Sequence, residues 1–161
     1  MIGKEDYVTP KPGILTTYNG SFDLDNLYKE IKKWFKNNNY KLYEKEYKEK
    51  RLAHGDELII DILSERKIDD YIKFHINVKF LMIHLKKLSK ESYIGNVHCN
   101  LKGYIEFDYN KKWQINKLKE FLMFIYNNFI IKGKIQNVYE DKLYDEVLKV
   151  EDLIKRNLGM I

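Results

Sequence analysis

The sequence is poor in the residues that build covalent or metal-bound frameworks. Its single cysteine, Cys99, excludes an intrachain disulfide and any zinc site with several cysteine ligands. The four histidines, His54, His75, His84 and His98, show no helical pair at a spacing of four. His98 and Cys99 are adjacent, so in a strand they point to opposite faces. We therefore expect no metal site, no cofactor, and a buried Cys99 thiol.

The chain also lacks internal prolines and long apolar runs. Pro10 and Pro12 both lie in residues 1–13, which show no periodicity and are predicted to be a tail. The longest apolar stretch, residues 121–131, is about half of a membrane span. No apolar signal core stands at the N-terminus. We expect a cytoplasmic protein without a transmembrane segment, with one domain over residues 14–161.

Charge is present in quantity but nearly balanced. The chain has 29 basic and 24 acidic residues, a net charge of +5, which is too little to indicate a nucleic-acid or membrane partner by itself. The sequence contains no glycine-rich phosphate loop, nucleophile elbow or two-histidine zinc motif. We therefore assign no catalytic residue and favour a protein that is not an enzyme.

Hydrophobic periodicity predicts the element order β-α-β-β-β-β-α-α. Strands are predicted at residues 14–22, 40–51, 57–66, 70–85 and 96–109, and helices at 23–36, 112–131 and 134–158, with Ser21 or Asp23 as the first cap. After Phe80 the apolar phase shifts by one residue, which predicts a β-bulge. Strands joined by short turns favour an antiparallel meander, so the fold class is α+β, with about five strands packed on helices and a long C-terminal helix.

The stretch "NVHCNLKGYIEFDY" (96–109) alternates between an apolar and a polar face. If apolar faces match across the preceding hairpin, His75 pairs with Lys102 or Tyr104, and neither His75 nor His98 faces a carboxylate. The polar face is therefore interpreted as a solvated sheet surface and not as a reactive one. Gly103, in mid-strand, predicts a bend.

The apolar positions of these strands predict one core. It comprises strand residues that should face residues of three helices: Phe74, Ile76, Val78, Leu101, Ile105 and Phe107 against Trp34, Leu122, Ile125 and Leu143.

This element order resembles the helix-grip fold of the START and Bet v 1 superfamily. The resemblance implies a curved sheet around the last helix, with an apolar ligand between them. The chain departs from it by having fewer strands and an extra helix at 112–131, which can fill such a cavity. If the interior is hollow, the expected ligand contacts are Trp34, Asp61, Phe121 and Phe124. The run "YNGSFDLDNLYKEIKKWF" (18–35) also resembles uncharacterised small archaeal proteins, which imply no function.

A second binding pattern lies on the predicted edge strand. Lys41, Tyr43, Lys45 and Tyr47 are predicted to share one side, where aromatic rings can stack on bases and lysines can contact phosphates. Glutamates interleave with these residues and leave the strand only about +2, which favours a solvated edge.

These observations favour a non-catalytic binding domain whose partner is another protein or a small apolar ligand. The alternatives are a nucleic-acid-binding accessory protein that uses the Lys/Tyr edge, and a helix-grip ligand carrier, cyclase or hydrolase. Helix 112–131 is too apolar for a single buried face. Either the sheet and the C-terminal helix cover it, or it forms an exposed patch for a partner or a second copy.

Overall fold

The computed structural model describes residues 4–161, which form one six-stranded sheet and a set of helices. The strands are Glu5–Tyr7 (β1), Ile14–Phe22 (β2), Lys41–Lys50 (β3), Asp56–Lys67 (β4), Ile72–Lys87 (β5) and Tyr93–Phe107 (β6). The helices are Leu24–Asn37 (α1), Lys117–Ile125 (α2), the single turn Lys132–Lys134 (α3) and Asp141–Asn157 (α4). Two π-helical turns, Tyr126–Ile130 and Ile135–Glu140, connect α2 to α3 and α3 to α4. The predicted α+β fold, with an antiparallel sheet and a C-terminal helix, is confirmed.

Strand β6 organises the sheet. It pairs with β5 on one side, and the sheet continues through β4 to β3 at the far edge. On its other side β6 pairs with β1 near its end and with β2 along the rest of its length. Because β5 occupies the opposite edge of β6, β1 and β2 lie one after the other along the same edge.

The prediction of a tail over residues 1–13 is wrong for its middle part. Residues 5–7 form β1, in register with β6 from Glu5 opposite Glu106 to Tyr7 opposite Tyr104. The backbone N–H of Val8 also donates to the carbonyl of Gly103 at 2.9 Å. These contacts are made by the backbone, so they leave no apolar periodicity in the sequence. Residues 1–3 lie outside the described part of the chain.

Helices α1 and α4 cover the apolar face of the sheet. The Asp23 carboxylate accepts a hydrogen bond from the Asn26 amide at 2.9 Å and caps α1, as predicted. Spacings of three and four residues align the buried side chains of each helix. They are Leu24, Leu27, Ile31 and Phe35 on α1, and Leu143, Val147, Val150 and Ile154 on α4. The predicted strand core from Phe74 to Phe107 is confirmed, and burial raises the pKa of the Cys99 thiol.

Gly103 permits the close approach of α4 to β6. A Cβ atom at this position would lie 2.6 Å from Cγ2 of Val147 and 3.1 Å from Cγ2 of Val8. The missing side chain therefore makes room for a helix, whereas the sequence predicts a bend. Leu143 lies in ordinary contact at 3.7 Å, so this part of the interior is filled by side chains.

A buried polar network joins α4 to the sheet beside this contact. Glu146 forms an ion pair with Arg66 of β4 at 2.9 Å and accepts a hydrogen bond from the Tyr40 hydroxyl at 2.5 Å. Arg66 also donates to the carbonyl of Asn38 at 3.0 Å. Burial and the adjacent carboxylate raise the pKa of Tyr40. Since each of these polar groups has a hydrogen-bond or ion-pair partner, the network fixes the position of α4 along the sheet.

The helical region after β6 differs from the prediction. Leu122 is exposed and Ile125 lies outside the core, so α2 does not cover the sheet, while Trp34 is half-buried at the core's margin. The two predicted helices also divide differently, because the chain leaves helical geometry at Ile131 (φ −107°, ψ 1°) and not at Gly133. Among residues 4–161, no helix is long and apolar enough to span a membrane.

The predicted bulge in β5 exists but lies later than Phe80. Alternation continues through Met82, and the register shifts between Ile83 and Lys86, where His84 has φ +54°. Leu85 thereby returns to the core while Leu81 stays exposed. A left-handed residue is not marked by apolar periodicity, which explains the error of position.

Replacing Gly103 with alanine should destabilise the fold. The added Cβ must displace Val147, a stiff side chain on a packed helix, so we expect a loss of about 1–3 kcal/mol in the free energy of unfolding. Gly133→Ala is the matched control, since nothing lies within 4 Å of its Cβ position, and it should be neutral or stabilising by up to about 1 kcal/mol. Urea denaturation measures both. Equal effects of the two substitutions would show that α4 does not depend on Gly103.

Candidate interaction surface

The main exposed apolar surface lies on residues 113–130, which we call the helical patch. Asn116 caps α2 by accepting a hydrogen bond from the Lys119 amide at 2.9 Å. Spacings of three and four residues then place Leu118, Phe121 and Leu122 on one side of the helix. Phe129 is 75% exposed and Phe121 is 58% exposed. The exposed large apolar side chains of the patch are Trp113, Ile115, Leu118, Phe121, Leu122, Phe129 and Ile130.

The opposite side of the helical patch is anchored to the domain. Asn127 is buried and accepts a hydrogen bond from the Tyr71 hydroxyl at 2.5 Å. Tyr126 lies edge-on to Tyr71 at 5.5 Å and stacks on Trp113 at 6.4 Å. The patch is therefore held by polar and aromatic contacts at its base. Among the exposed apolar side chains, Trp113 contributes to that attachment by stacking on Tyr126.

Asp108 anchors the chain just before the patch. This buried carboxylate accepts hydrogen bonds from the amides of Lys112 and Trp113, each at 2.9 Å. Its φ of +51° turns the chain away from β6. The sequence analysis missed Asp108 and Asn127 as anchors, although a polar residue inside an apolar run, such as Asn127, is a usable signal.

The four predicted ligand contacts do not share one site. Trp34 packs beside Phe35 on the core side of the sheet, while Asp61 lies on the opposite face, across from Lys79. Phe121 and Phe124 lie on the helical patch, where Phe124 is half-buried. The structure thus brings together only the two phenylalanines, on an open surface.

The predicted Lys/Tyr edge is divided between two faces, so that part of the prediction is wrong. Tyr43 pairs with Leu63 on the polar face, and its hydroxyl donates to Glu65 at 3.0 Å. Tyr47 pairs with Ile60 on the core-side face. The register shifts between Glu44 and Glu46, so Lys45 is an extra, bulged residue.

The ring contacts of Tyr43 and Tyr47 also place the two tyrosines on opposite faces of the sheet. The Lys41 ammonium lies 5.2 Å from the ring of Tyr43, on the polar face. Tyr47 instead lies edge-on to Tyr28 of α1 at 6.4 Å. One nucleic-acid strand cannot stack on Tyr43 and Tyr47 from the same side.

The polar sheet face holds a histidine–carboxylate pair that the sequence analysis missed. His75 pairs with Tyr104, as predicted, but its Nε2 lies 2.6 Å from Oε2 of Glu106, two residues further along β6. Glu106 is a diagonal neighbour of His75 and not its direct partner, so the prediction that His75 faces no carboxylate, which rests on direct pairs, is wrong. His75 is only 4% exposed, and its ring stacks on Tyr104 at 4.5 Å. One ring nitrogen is occupied and the other, Nδ1, is buried, so the pair has no open side for a substrate.

A cleft of about 480 Å³ lies between β1 and the second π-helical turn. It is lined by Tyr7, Val8, Pro10, Glu140, Asp141 and Tyr144. At this cleft the pKa of Glu140 is raised to about 7 by partial burial, by a hydrogen bond with Asp6 and by repulsion from Asp6 and Asp141. The Glu140 carboxyl group therefore keeps its proton at mildly acidic pH.

The raised pKa of Glu140 should make the protein less stable as the pH rises. Because the folded chain holds a proton that the unfolded chain releases near pH 4.5, the free energy of unfolding should decrease between about pH 4.5 and about pH 7. Glu140→Gln should remove this component and stabilise the protein above about pH 7, as measured by urea denaturation across that range. Glu91→Gln, in the exposed β5–β6 loop, is the control. If Glu140→Gln and wild type show parallel pH profiles, Glu140 does not hold a proton in the folded chain at mildly acidic pH.

Comparison of the chain with models of known protein families gave no match, and comparison with curated proteins gave none either. Function is therefore inferred from the geometry of these surfaces.

Proposed function

We propose that this chain is a non-catalytic binding domain whose contact surface is the helical patch. One observation carries the proposal: seven large apolar side chains are exposed together on residues 113–130, while the opposite side of the same segment is anchored. Scattered apolar residues are normal on protein surfaces, but seven exposed large apolar residues within one short segment are typical of an interaction site.

Exposure of the helical patch leaves much hydrophobic stabilisation unrealised in the isolated chain. Covering a large apolar side chain contributes roughly 1.5–3 kcal/mol, so exposed residues such as Ile115 and Phe129 forgo much stabilisation within the isolated chain. Asn116 caps helix α2, and Asn127 anchors the turn that follows it, so the apolar side chains of the helix and of that turn are held in place before any partner arrives. A preordered surface loses less conformational entropy on binding than a disordered one.

The two alternative functions have less support. A carrier with an internal ligand needs space between the sheet and α4, where Val147 and Leu143 already pack on Gly103. A nucleic-acid site on the edge strand needs Tyr43 and Tyr47 on one face, and the bulge at Lys45 separates them.

Site-specific photo-crosslinking tests the proposal. A benzophenone amino acid replaces Phe121 or Phe129 in cells that make this protein naturally. Both positions should give a defined adduct on illumination, with a protein or with a lipid, because the patch is covered there. Leu15 on β2 is the matched control, since it is apolar and 62% exposed but lies at the sheet edge.

The same positions should tolerate polar substitution without loss of the fold. Phe121→Ser and Phe129→Ser should each change the free energy of unfolding by less than about 0.5 kcal/mol, because the side chains are exposed. Absence of adducts at both positions, or adducts of equal yield at Leu15, would contradict the proposed function. A large destabilisation by either substitution would show that the patch is part of the core.

A further inference from the structure

We propose that the helical patch docks on an anionic lipid bilayer and lies in the interfacial region of the membrane. This inference rests on the proposed function and names the occupant of the same surface. It is carried by the distribution of charge along the chain, by the burial pattern of α2 and by the exposure of the lysines in the same segment.

The whole net charge of the protein is located in residues 111–134. This segment contains six lysines and one acidic residue, Glu120. Subtracting them from the 29 basic and 24 acidic residues of the chain leaves 23 of each, so the rest of the protein is neutral. The lysines are exposed and are Lys111, Lys112, Lys117, Lys119, Lys132 and Lys134. The exposed apolar side chains and the net positive charge thus lie in the same segment of the chain.

This charge argues against a second copy of the chain as the occupant. In a symmetric dimer the same surface appears on both sides, so six lysines would face six lysines around an apolar centre. Like charges in such an arrangement repel strongly at short range. The complementary partner therefore offers both an apolar region and negative charge.

An anionic bilayer has both properties. Leu118, Phe121 and Leu122 project from the side of α2 opposite the buried Met123 and Asn127, so they can enter the acyl region while the anchor stays in the domain. Lysines on either side can extend their ammonium groups to lipid phosphates. Trp113, adjacent to Lys112, has the amphipathic ring that is typical of the membrane interface.

Vesicle binding tests this inference. In a Trp34→Phe variant, Trp113 is the single tryptophan and reports on the patch. Its fluorescence should shift to the blue, and the protein should co-sediment, with vesicles of phosphatidylcholine mixed with phosphatidylglycerol. Vesicles of phosphatidylcholine alone should bind far less. Raising the salt concentration should weaken binding, because the attraction to the anionic surface is screened.

Two pairs of substitutions separate local from overall charge. Lys117→Gln with Lys119→Gln should weaken binding to the mixed vesicles roughly 30-fold, since each lysine near the surface contributes about fivefold. Lys29→Gln with Lys33→Gln, on the exposed side of α1, changes the net charge equally and should have little effect. Phe121→Ser with Phe129→Ser should abolish the binding and the fluorescence shift.

Two results would overturn the lipid assignment: no binding to the mixed vesicles, or equal binding to both kinds. Equal effects of the two lysine pairs would also contradict it, because attraction would then follow net charge and not the patch. The crosslinking experiment distinguishes this failure from failure of the proposed function. A protein adduct at residues 121 and 129 would keep the binding domain and replace the bilayer with an acidic protein.

Discussion

The packing of α4 on β6 at Gly103 is the contact on which the arrangement of the helices depends. Val147 can approach the strand because no side chain intervenes, and Glu146 fixes the helix along the sheet through Arg66. With α1 beside it, α4 covers the apolar face of the sheet, and no residue of α2 belongs to that core. The segment between β6 and α4 is therefore displaced to the surface. Its apolar side chains are exposed because α4, and not α2, packs on the sheet.

This displacement separates two tasks within a small chain. Stability resides in the sheet and its two covering helices, where all the strand core residues are buried. Binding, as proposed, resides in a segment that the fold anchors through Asp108, Asn127 and Tyr71 but does not bury. The exposed apolar residues of the patch can therefore change without great cost to folding. The polar sheet face, including the buried pair of His75 and Glu106, is consistent with a structural role, since it offers no open ring nitrogen.

Most of the fold could be predicted from periodicity, because alternation and helical spacing record burial directly. Strand β2, the Asp23 cap and the pairing of His75 with Tyr104 are examples. Features made by the backbone could not be predicted in the same way. The bulge at Lys45 and the left-handed residue His84 change the face on which the following residues lie. The residue types at these positions do not mark either change. The apolar character of residues 112–131 was visible, but whether it was covered depended on α4, a tertiary competition that no local pattern contains.

The edges of the sheet have a consequence for self-association. Strand β3 exposes one edge, and seven of its ten residues are charged, with a bulge at Lys45. The other edge is interrupted between β1 and β2 by residues 8–13, where Pro10 and Pro12 cannot donate backbone hydrogen bonds. Neither edge offers a long, regular template for an incoming strand. Copies that are crowded together can therefore remain separate folded units and resist growth into cross-β fibrils.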